Sequence, residues 1–250
     1  MKIAVHSDLH YEGYKLPRGF LEDQDFDVLV LAGDIVSSRT VSRLADFRKL
    51  VLDDKPIIFV PGNHEYYNGC MIKTKERMKT VCEENDIVLL DEDSIIIGDV
   101  EFIGATGWTD LESYPHIDIQ EKRDSIQFGI MDFRVVDNNS LDKMVERSKS
   151  AKQFIDNALY VNPSLKRVVI THFAPTEEHN NEYYSVSGLS SYFVNNWIDL
   201  IYEHEPDVWI FGHTHYNNPS KVYHTNVICN QKGYGIECGA TYDPNYIIEV

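Results

Sequence analysis

No feature constrains this chain more than the run Asp27-Val-Leu-Val-Leu-Ala-Gly-Asp34-Ile35-Val36. A continuous apolar stretch of this length, bounded by acids, reads as a strand buried on both faces of a sheet. It stops at a small residue followed by a carboxylate. Asp34 therefore falls where open α/β sheets place their chemistry, at the carboxyl end of a central strand. Four further segments repeat the design: Ile3-Ala-Val-His-Ser-Asp8-Leu-His10, Ile57-Ile-Phe-Val-Pro-Gly62-Asn63-His64-Glu65, Val168-Val-Ile-Thr-His172 and Val208-Trp-Ile-Phe-Gly212-His213-Thr-His215. Asp-x-His alone is common, and Gly-Asp after a strand is ordinary turn chemistry. Five strand ends delivering Asp, His and Asn to one edge need a shared explanation, and a metal centre supplies it.

Between these strands the periodicity changes. Val41–Leu52 and Ile72–Asn85 place apolar residues near helical spacing, so both predict amphipathic helices. Pro56–Val60 is a strand closed by Pro61-Gly62, a pair that marks a tight turn. Ile87–Leu90, Ser94–Gly98 and Val100–Gly104 read as short strands, with Gly98-Asp99 joining the last two as a hairpin. Leu141–Leu159 reads as a helix, and Phe193–Tyr202 as another that Pro206 ends. Lys221–Cys229 and Tyr246–Val250 read as strands, and Gly233–Gly239 as a connection. Leu9–Asp25 is a long loop or short helix carrying His10. Trp108–Val136 is acidic, aromatic and weakly periodic, an excursion over the edge where the candidate ligands lie, and Ala174–Ser191 is a polar, tyrosine-rich rim loop. No repeat, low-complexity tract or linker interrupts the chain. The expectation is one α/β domain over residues 1–250, its sheet continuing past Asp34 on both sides.

A chain of 250 residues buries a substantial core without staples. Its net charge of -17 argues against a protein that holds long DNA through phosphate contacts, but not against a small phosphorylated substrate. Cys70, Cys82, Cys229 and Cys238 form no Cys-x-x-Cys pair and read as reduced thiols, with Cys229 and Cys238 spaced to meet across a hairpin. The amino terminus enters a strand at Ile3 without a signal peptide, and no stretch approaches the roughly 20 apolar residues of a membrane span. A cytoplasmic protein is expected.

Asp8 and His10 lie two residues apart, as do His213 and His215. In a strand that spacing puts both side chains on one face, within reach of one ion. The two oxygens of Asp34 can bridge two ions, Asn63 offers a neutral amide oxygen, and His172 another imidazole. Mixed nitrogen and oxygen donors without thiolate suit first-row divalent ions. Manganese is the expected pair, and iron, zinc, nickel or cobalt fit the same donors. Two such ions about 3.5–4 Å apart clamp a phosphoryl group and generate a hydroxide nucleophile at neutral pH. The remaining histidines, His6, His116, His179, His204 and His224, read as structural or exposed.

In this order, Asp8-x-His10, Gly33-Asp34, Gly62-Asn63-His64-Glu65, Thr171-His172 and Gly212-His213-Thr-His215 resemble the motifs of the calcineurin-like metallophosphoesterase family, compact stand-alone microbial or phage type. The resemblance spans residues 8 to 215. It implies a four-layer αββα sandwich of two mixed β-sheets flanked by helices. It also implies that Asp8, His10, Asp34 and His215 hold one metal and that Asp34, Asn63, His172 and His213 hold the other. By the same carry-over His64 is not a ligand: it stabilises developing negative charge or protonates the leaving oxygen, work for which an imidazole beside the ligands suits. Asp34 and His64 are thus the expected catalytic residues.

The resemblance narrows the substrate less. Protein phosphatases of the family follow Gly-Asp with an Asp-Arg-Gly pattern, from which Ile35-Val36-Ser37-Ser38-Arg39 departs. Its nucleases usually carry Asp-x-His-x-Gly and Gly-Asn-His-Asp, where this chain has Glu12 and Glu65. A phosphodiesterase or phosphomonoesterase acting on a small substrate, with a nucleotide as one candidate, is the leading expectation. A nuclease for short or single-stranded nucleic acid and a non-catalytic scaffold are the competing ones, and retention of His64 weighs against a scaffold. Met131-Asp132-Phe133-Arg134 and Asn230-Gln231-Lys232-Gly233-Tyr234 resemble stretches of the stand-alone group, with Lys232 where Arg is expected. Trp108–Arg134 and Phe173–Ser191 are expected to rim the substrate, with Arg134 or Arg39 as candidate phosphate contacts.

Overall fold

The computed structural model describes residues 1–235 and 241–250. The run ending at Asp34 forms β2 (Val28–Ala32), all five residues buried. It lies between β1 (Lys2–His6) and β3 (Ile57–Val60), both parallel to it. β5 (Ile87–Leu89) continues the sheet in parallel beyond β3, and β13 (Ile247–Glu249) closes the other edge antiparallel to β1. The second sheet has β7 (Val100–Ala105), β9 (Lys166–Thr171), β10 (Val208–Ile210) and β12 (Thr225–Ile228) as a parallel centre. Its antiparallel edges are β6 (Asp93–Ile97) and β11 (Ser220–Val222). A two-residue pair, β4 (Gly69–Cys70) with β8 (Val136–Asp137), stands apart from both.

The period-2 alternation of each strand sorts its apolar residues into two cores. Ile3, Val5, Val28, Val30, Ile58 and Val60 face the other sheet and meet Val100, Phe102, Val168, Ile170, Val208 and Ile210. The alternate residues Leu29, Leu31, Ile57 and Phe59 pack on Leu44 and Phe47 of α1 (Leu44–Leu50) and on Met78 and Cys82 of α2 (Met71–Glu84). On the far side Ile103, Val169, Trp209 and Val227 are covered by Ala151, Ile155 and Leu159 of α5 (Leu141–Val161) and by Leu200 and Ile201 of α7 (Ile198–His204). Four layers result, two mixed sheets between helices. Burying each such side chain stabilises by about 1.5–3 kcal/mol, so strands sandwiched on both sides read as unbroken apolar runs.

Three local expectations are corrected. The Trp108–Val136 excursion contains α3 (Ile119–Gly129), capped by the Asp118 carboxylate at Gln120 N and Glu121 N, and the short α4 (Asp132–Val135). Only Lys122 and Ile126 of α3 are buried, so its periodicity is faint. The helix expected from Phe193 starts at Ile198, after the separate α6 (Ser190–Phe193). Residues between them are committed elsewhere: Val194 bridges Ala174, and Trp197 N donates to Pro175 O. Lys221–Cys229 is a hairpin of β11 and β12, turned at Tyr223 with a φ of 52°. Of the two readings of Leu9–Asp25, the long loop is the one found. Cys70, Cys82 and Cys229 are free thiols, whereas Cys238 and most of Gly233–Gly239 lie outside the described residues. Among the described residues no helix is long and apolar enough to cross a membrane.

Candidate metal centre

The carboxyl ends of β1, β2 and β3 in one sheet and of β9 and β10 in the other reach the same edge, and every candidate ligand lies in a loop just past them. Here the strand-spacing argument for Asp8-x-His10 and His213-x-His215 is corrected. Neither pair is in a strand. Asp8, His10, Asp34, His213 and His215 all have left-handed backbone, with φ of 53°, 47°, 55°, 72° and 48°. Such conformations are uncommon for residues with a Cβ and persist where the surroundings over-determine them. The surroundings do so here. Asp8 N donates to Gly33 O, His10 N to Asp34 O and Gly33's neighbour loop is held further by Tyr11 N on Ile35 O. Gly212 N donates to His172 O, and His213 N to the Asp8 carboxylate, which ties the two sheets' loops together.

Two groups of donors converge. In the first, His10 Nε2 and His215 Nε2 face each other at 3.1 Å, and His215 Nε2 lies 3.2 Å from Asp8 Oδ1. In the second, His172 Nε2 lies 3.3 Å from Asp34 Oδ1, with His213 completing the cluster. Asp8, His10 and His215, and separately Asp34, His172 and His213, bring ligand atoms within 4.8 Å of one another, a spacing that could hold a metal ion. Asn63 lines the same cavity as Asp34, His213 and His215, and His64 lines it beside them. That cavity has a volume of about 460 Å³.

Among the described residues, three atoms in this buried centre have no hydrogen-bond partner: Asn63 Oδ1, His172 Nε2, which faces the Asp34 carboxylate at 3.3 Å, and His213 Nε2. An unpaired buried polar atom costs about 1–3 kcal/mol, so three together on one carboxylate mark a place for a cation. The orientation of two of them is enforced from behind. His172 Nδ1 donates to Ala32 O at 2.9 Å, which leaves the Nε2 lone pair facing Asp34. Asn63 Nδ2 donates to Asp132 Oδ2 at 3.3 Å, which turns its Oδ1 inward. Electrostatics agree. Burial disfavours the His172 imidazolium, yet the carboxylates of Asp34 and Asp8 outweigh it and push His172 up to about 9. The centre demands positive charge.

Several residues that build this geometry escaped sequence reasoning. Glu65, fully buried, accepts Asp34 N at 2.9 Å and Gly62 N at 2.6 Å on Oε2, and Ile35 N at 2.7 Å and Val36 N at 2.9 Å on Oε1. One carboxylate thus locks the loop after β2 to the loop after β3. Burial and the Asp34 charge push Glu65 up to about 7, against the four amide donors. Glu65→Gln sets an amide NH2 against two of those N–H groups. It is expected to lower unfolding free energy by roughly 1–3 kcal/mol for each donor left unpaired, read by chemical denaturation. Glu12 Oε1 lies 3.3 Å from His10 Nδ1 and 3.4 Å from His64 Nδ1, so one carboxylate faces both a candidate ligand and the candidate acid. Gln231 Oε1 accepts His215 N at 2.7 Å, and Tyr234 OH lies 2.8 Å from His64 Nε2. The stretches 131–134 and 230–234 therefore hold the centre together. Their available signal was the placement of an Asp, a Gln and a Tyr in motif-like stretches, without a local pattern to show what they touch.

The glycines before the candidate ligands are sterically required. Gly33 sits at a φ of +86°, and a Cβ there would press on the His172 ring and lie 2.8 Å from Gly62 N. A Cβ on Gly62 would lie 2.7 Å from Asp34 N and closer still to Asp34 Oδ1. Gly62→Ala is expected to cost about 1–3 kcal/mol, the range for overpacking, and to weaken metal binding with it. Thermal unfolding and metal titration of the purified variant check both.

His64 also comes within 4.8 Å of His10 and Asp34, a third group of donors that joins the other two. Its N–H donates to Asp34 Oδ1 at 2.8 Å, and its ring stacks on Tyr67 with centroids 3.9 Å apart. Burial lowers its proton affinity, but Asp34 and Glu12 outweigh that and raise it. Arg134 donates to Phe128 O and Arg39 is exposed; neither lines the cavity. Gly129–Asp132 and Asn181–Tyr184 do line it, in part, so the excursion and the 173–191 loop both reach its mouth. His6, packed on Phe20 and Tyr242, and His179, on Thr176 and Ser220, are buried away from it.

Residues 1–217 match the family model for calcineurin-like phosphoesterases, and the chain belongs to that family. An uncharacterised protein of Acanthamoeba polyphaga mimivirus is 29% identical over 237 residues, covering 86% of this chain and 81% of its own. The phosphopantetheinyl hydrolase of Mycobacterium tuberculosis overlays with a TM-score of 0.80 at 15% identity, covering 100% of this chain and 95% of that one. A dimetal phosphatase from Danio rerio overlays with a TM-score of 0.53 at 14% identity, covering 92% and 86%. At such identities these likenesses speak for the fold.

Proposed function

We propose that this chain is one domain, a binuclear metal-dependent phosphoesterase that hydrolyses a small phosphodiester or phosphomonoester. In this reading Asp8, His10, Asp34 and His215 hold one divalent ion and Asp34, Asn63, His172 and His213 the other, with manganese as the first candidate. The observation that carries it is the set of three buried atoms without a hydrogen-bond partner among the described residues, Asn63 Oδ1, His172 Nε2 and His213 Nε2, gathered about the Asp34 carboxylate. Family membership and the phosphopantetheinyl hydrolase and dimetal phosphatase among its structural likenesses support a phosphorylated substrate.

When bound, the two ions supply Lewis-acid charge for the phosphoryl oxygens and an acidified water as nucleophile. The chain's residues do the rest. Asp34 sits between the clusters and offsets both positive charges. His64 faces the mouth of the cavity beside them, where it donates a proton to the departing oxygen. Glu12 faces the His64 ring at Nδ1, and Nε2, which Tyr234 OH meets at 2.8 Å, is the atom left to serve the substrate once that hydroxyl gives way. Water adds across the ester: its oxygen bonds to phosphorus as one of its protons passes to solvent, the phosphorus–alcohol bond breaks, the alcohol leaves with the proton from His64, and His64 takes one back from solvent.

Hydrolysis of bis-p-nitrophenyl phosphate and of p-nitrophenyl phosphate, with added manganese and after chelation, tests this reading. Turnover that requires divalent metal supports it, and the diester-to-monoester ratio reads the substrate class. Protein shown to bind two ions yet inert toward both esters, with every divalent metal tried, would overturn it in favour of a scaffold.

A further inference from the structure

Beside the metal cavity lies a second and larger one, about 800 Å³, to which no role has been given above. Asn181, Tyr184, Phe193 and Thr214 line both cavities, so the two share a wall, and Thr214 stands between the candidate ligands His213 and His215. The floor is firm. A Cβ on Gly188 would lie 2.6 Å from Ser125 Oγ of α3, and one on Gly129 would lie 2.8 Å from Leu189, so the 187–189 segment is packed down on that helix. Apolar surface comes from Tyr114, Tyr184, Val186, Leu189 and Phe193, and uncharged polar groups from Asn180, Asn181 and neighbouring serines. Charge is one-sided. Glu177, Glu178 and Glu182 line the cavity, and among the described residues no Lys, Arg or His does.

We propose that this second cavity binds the organic arm of the substrate, and that the arm is an uncharged, partly apolar alcohol several carbons long. The proposal rests on the phosphoesterase reading and adds the substrate class to it. The two cavities divide the labour by charge. Cations at the first attract a phosphoryl group, while three carboxylates at the second repel any further anion. A volume of this size and lining suits a small organic group. A polyanion such as an oligonucleotide is refused by the same field, whereas a neutral chain gains by burying its methylenes.

The test is equilibrium binding, by calorimetry on manganese-loaded protein carrying His64→Ala so that alkyl esters are not consumed during the titration, of four phosphomonoesters: methyl phosphate, hexyl phosphate, 6-aminohexyl phosphate and 6-phosphooxyhexanoate. Hexyl phosphate is expected to bind at least 10-fold tighter than methyl phosphate, and the aminohexyl ester within about threefold of hexyl. The carboxylate-bearing ester is expected to be at least 10-fold weaker than hexyl. Val186→Glu, at a position 56% exposed and free to carry charge without disturbing the core, should reduce the hexyl advantage below threefold and leave methyl phosphate unchanged. Equal affinities for methyl and hexyl phosphate, equal affinities for the hexyl and carboxylate arms, or an advantage that survives Val186→Glu would each overturn the proposal. Bis-p-nitrophenyl phosphate turnover by the protein with His64 in place separates the two claims. Arm-dependent binding without turnover sinks the catalytic reading alone, and turnover without arm dependence sinks this cavity alone.

Discussion

Asp34→Asn is expected to reduce turnover at least about 10³-fold and to lower bound metal from two ions to one or none. The residue is 2% exposed and lies 3.3 Å from His172 Nε2, 2.8 Å from His64 N and 3.9 Å from His64 Nε2, with ligand atoms of His10 and His213 within 4.8 Å. His172 and His64 hold its carboxyl well below the usual range despite the burial, so the group is an anion in the folded protein. An amide keeps the shape, and its oxygen can still accept His64 N–H, so the loop is expected to survive. What disappears is the negative charge between two cations, and buried charges left without their counterpart are costly. Atomic emission analysis of the dialysed variant, beside its activity and its circular dichroism, checks the outcome. Two retained ions with unchanged turnover would refute the bridging role.

His64→Ala is expected to leave both ions bound and lower kcat by about 10²–10⁴, the range for a positioned acid or base. The loss should depend on the leaving group. With p-nitrophenolate, which departs without help, the penalty is expected to shrink. With an alkyl ester, whose alkoxide must be protonated as it leaves, it should be full. A purely structural role for the ring, stacked on Tyr67 and hydrogen-bonded to Tyr234, would instead lower both rates equally and disturb metal binding. Because Glu12 reaches His64 through Nδ1 at 3.4 Å, Glu12→Gln should show the same leaving-group pattern at smaller amplitude. A flat penalty across leaving groups in His64→Ala would remove His64 as the acid.

Much of this architecture was legible because it is written locally. Val28–Ala32 and Ile57–Val60 are fully buried strands, and a strand buried on both faces shows itself as an unbroken apolar run. The residue types that follow each run identified the metal-directed loops, and the structure brings all seven candidate ligands, with His64, to one edge. Other elements were illegible for definable reasons. Helix α3 buries only two side chains, too few to leave a period, and residues 194–197 are spent on Ala174, Pro175 and Trp108 rather than on helix α7. Partners such as Glu12 for His64 and Asp132 for Asn63 lie 52 and 69 residues apart, and no spacing rule reaches that far.

What the chain determined by itself is the order of its strands, the edge at which they end and the kinds of atoms delivered there. Hydrophobic periodicity and residue chemistry are properties of short segments, and they carry over into any structure those segments build. Only the tertiary structure decided how those atoms converge. The i, i+2 pairs Asp8/His10 and His213/His215 meet through left-handed loops rather than along strands, because backbone hydrogen bonds from other loops hold them there. Glu65 likewise becomes the clasp between two loops because folding alone brings Asp34 N and Gly62 N to one oxygen of a fully buried carboxylate and Ile35 N and Val36 N to the other.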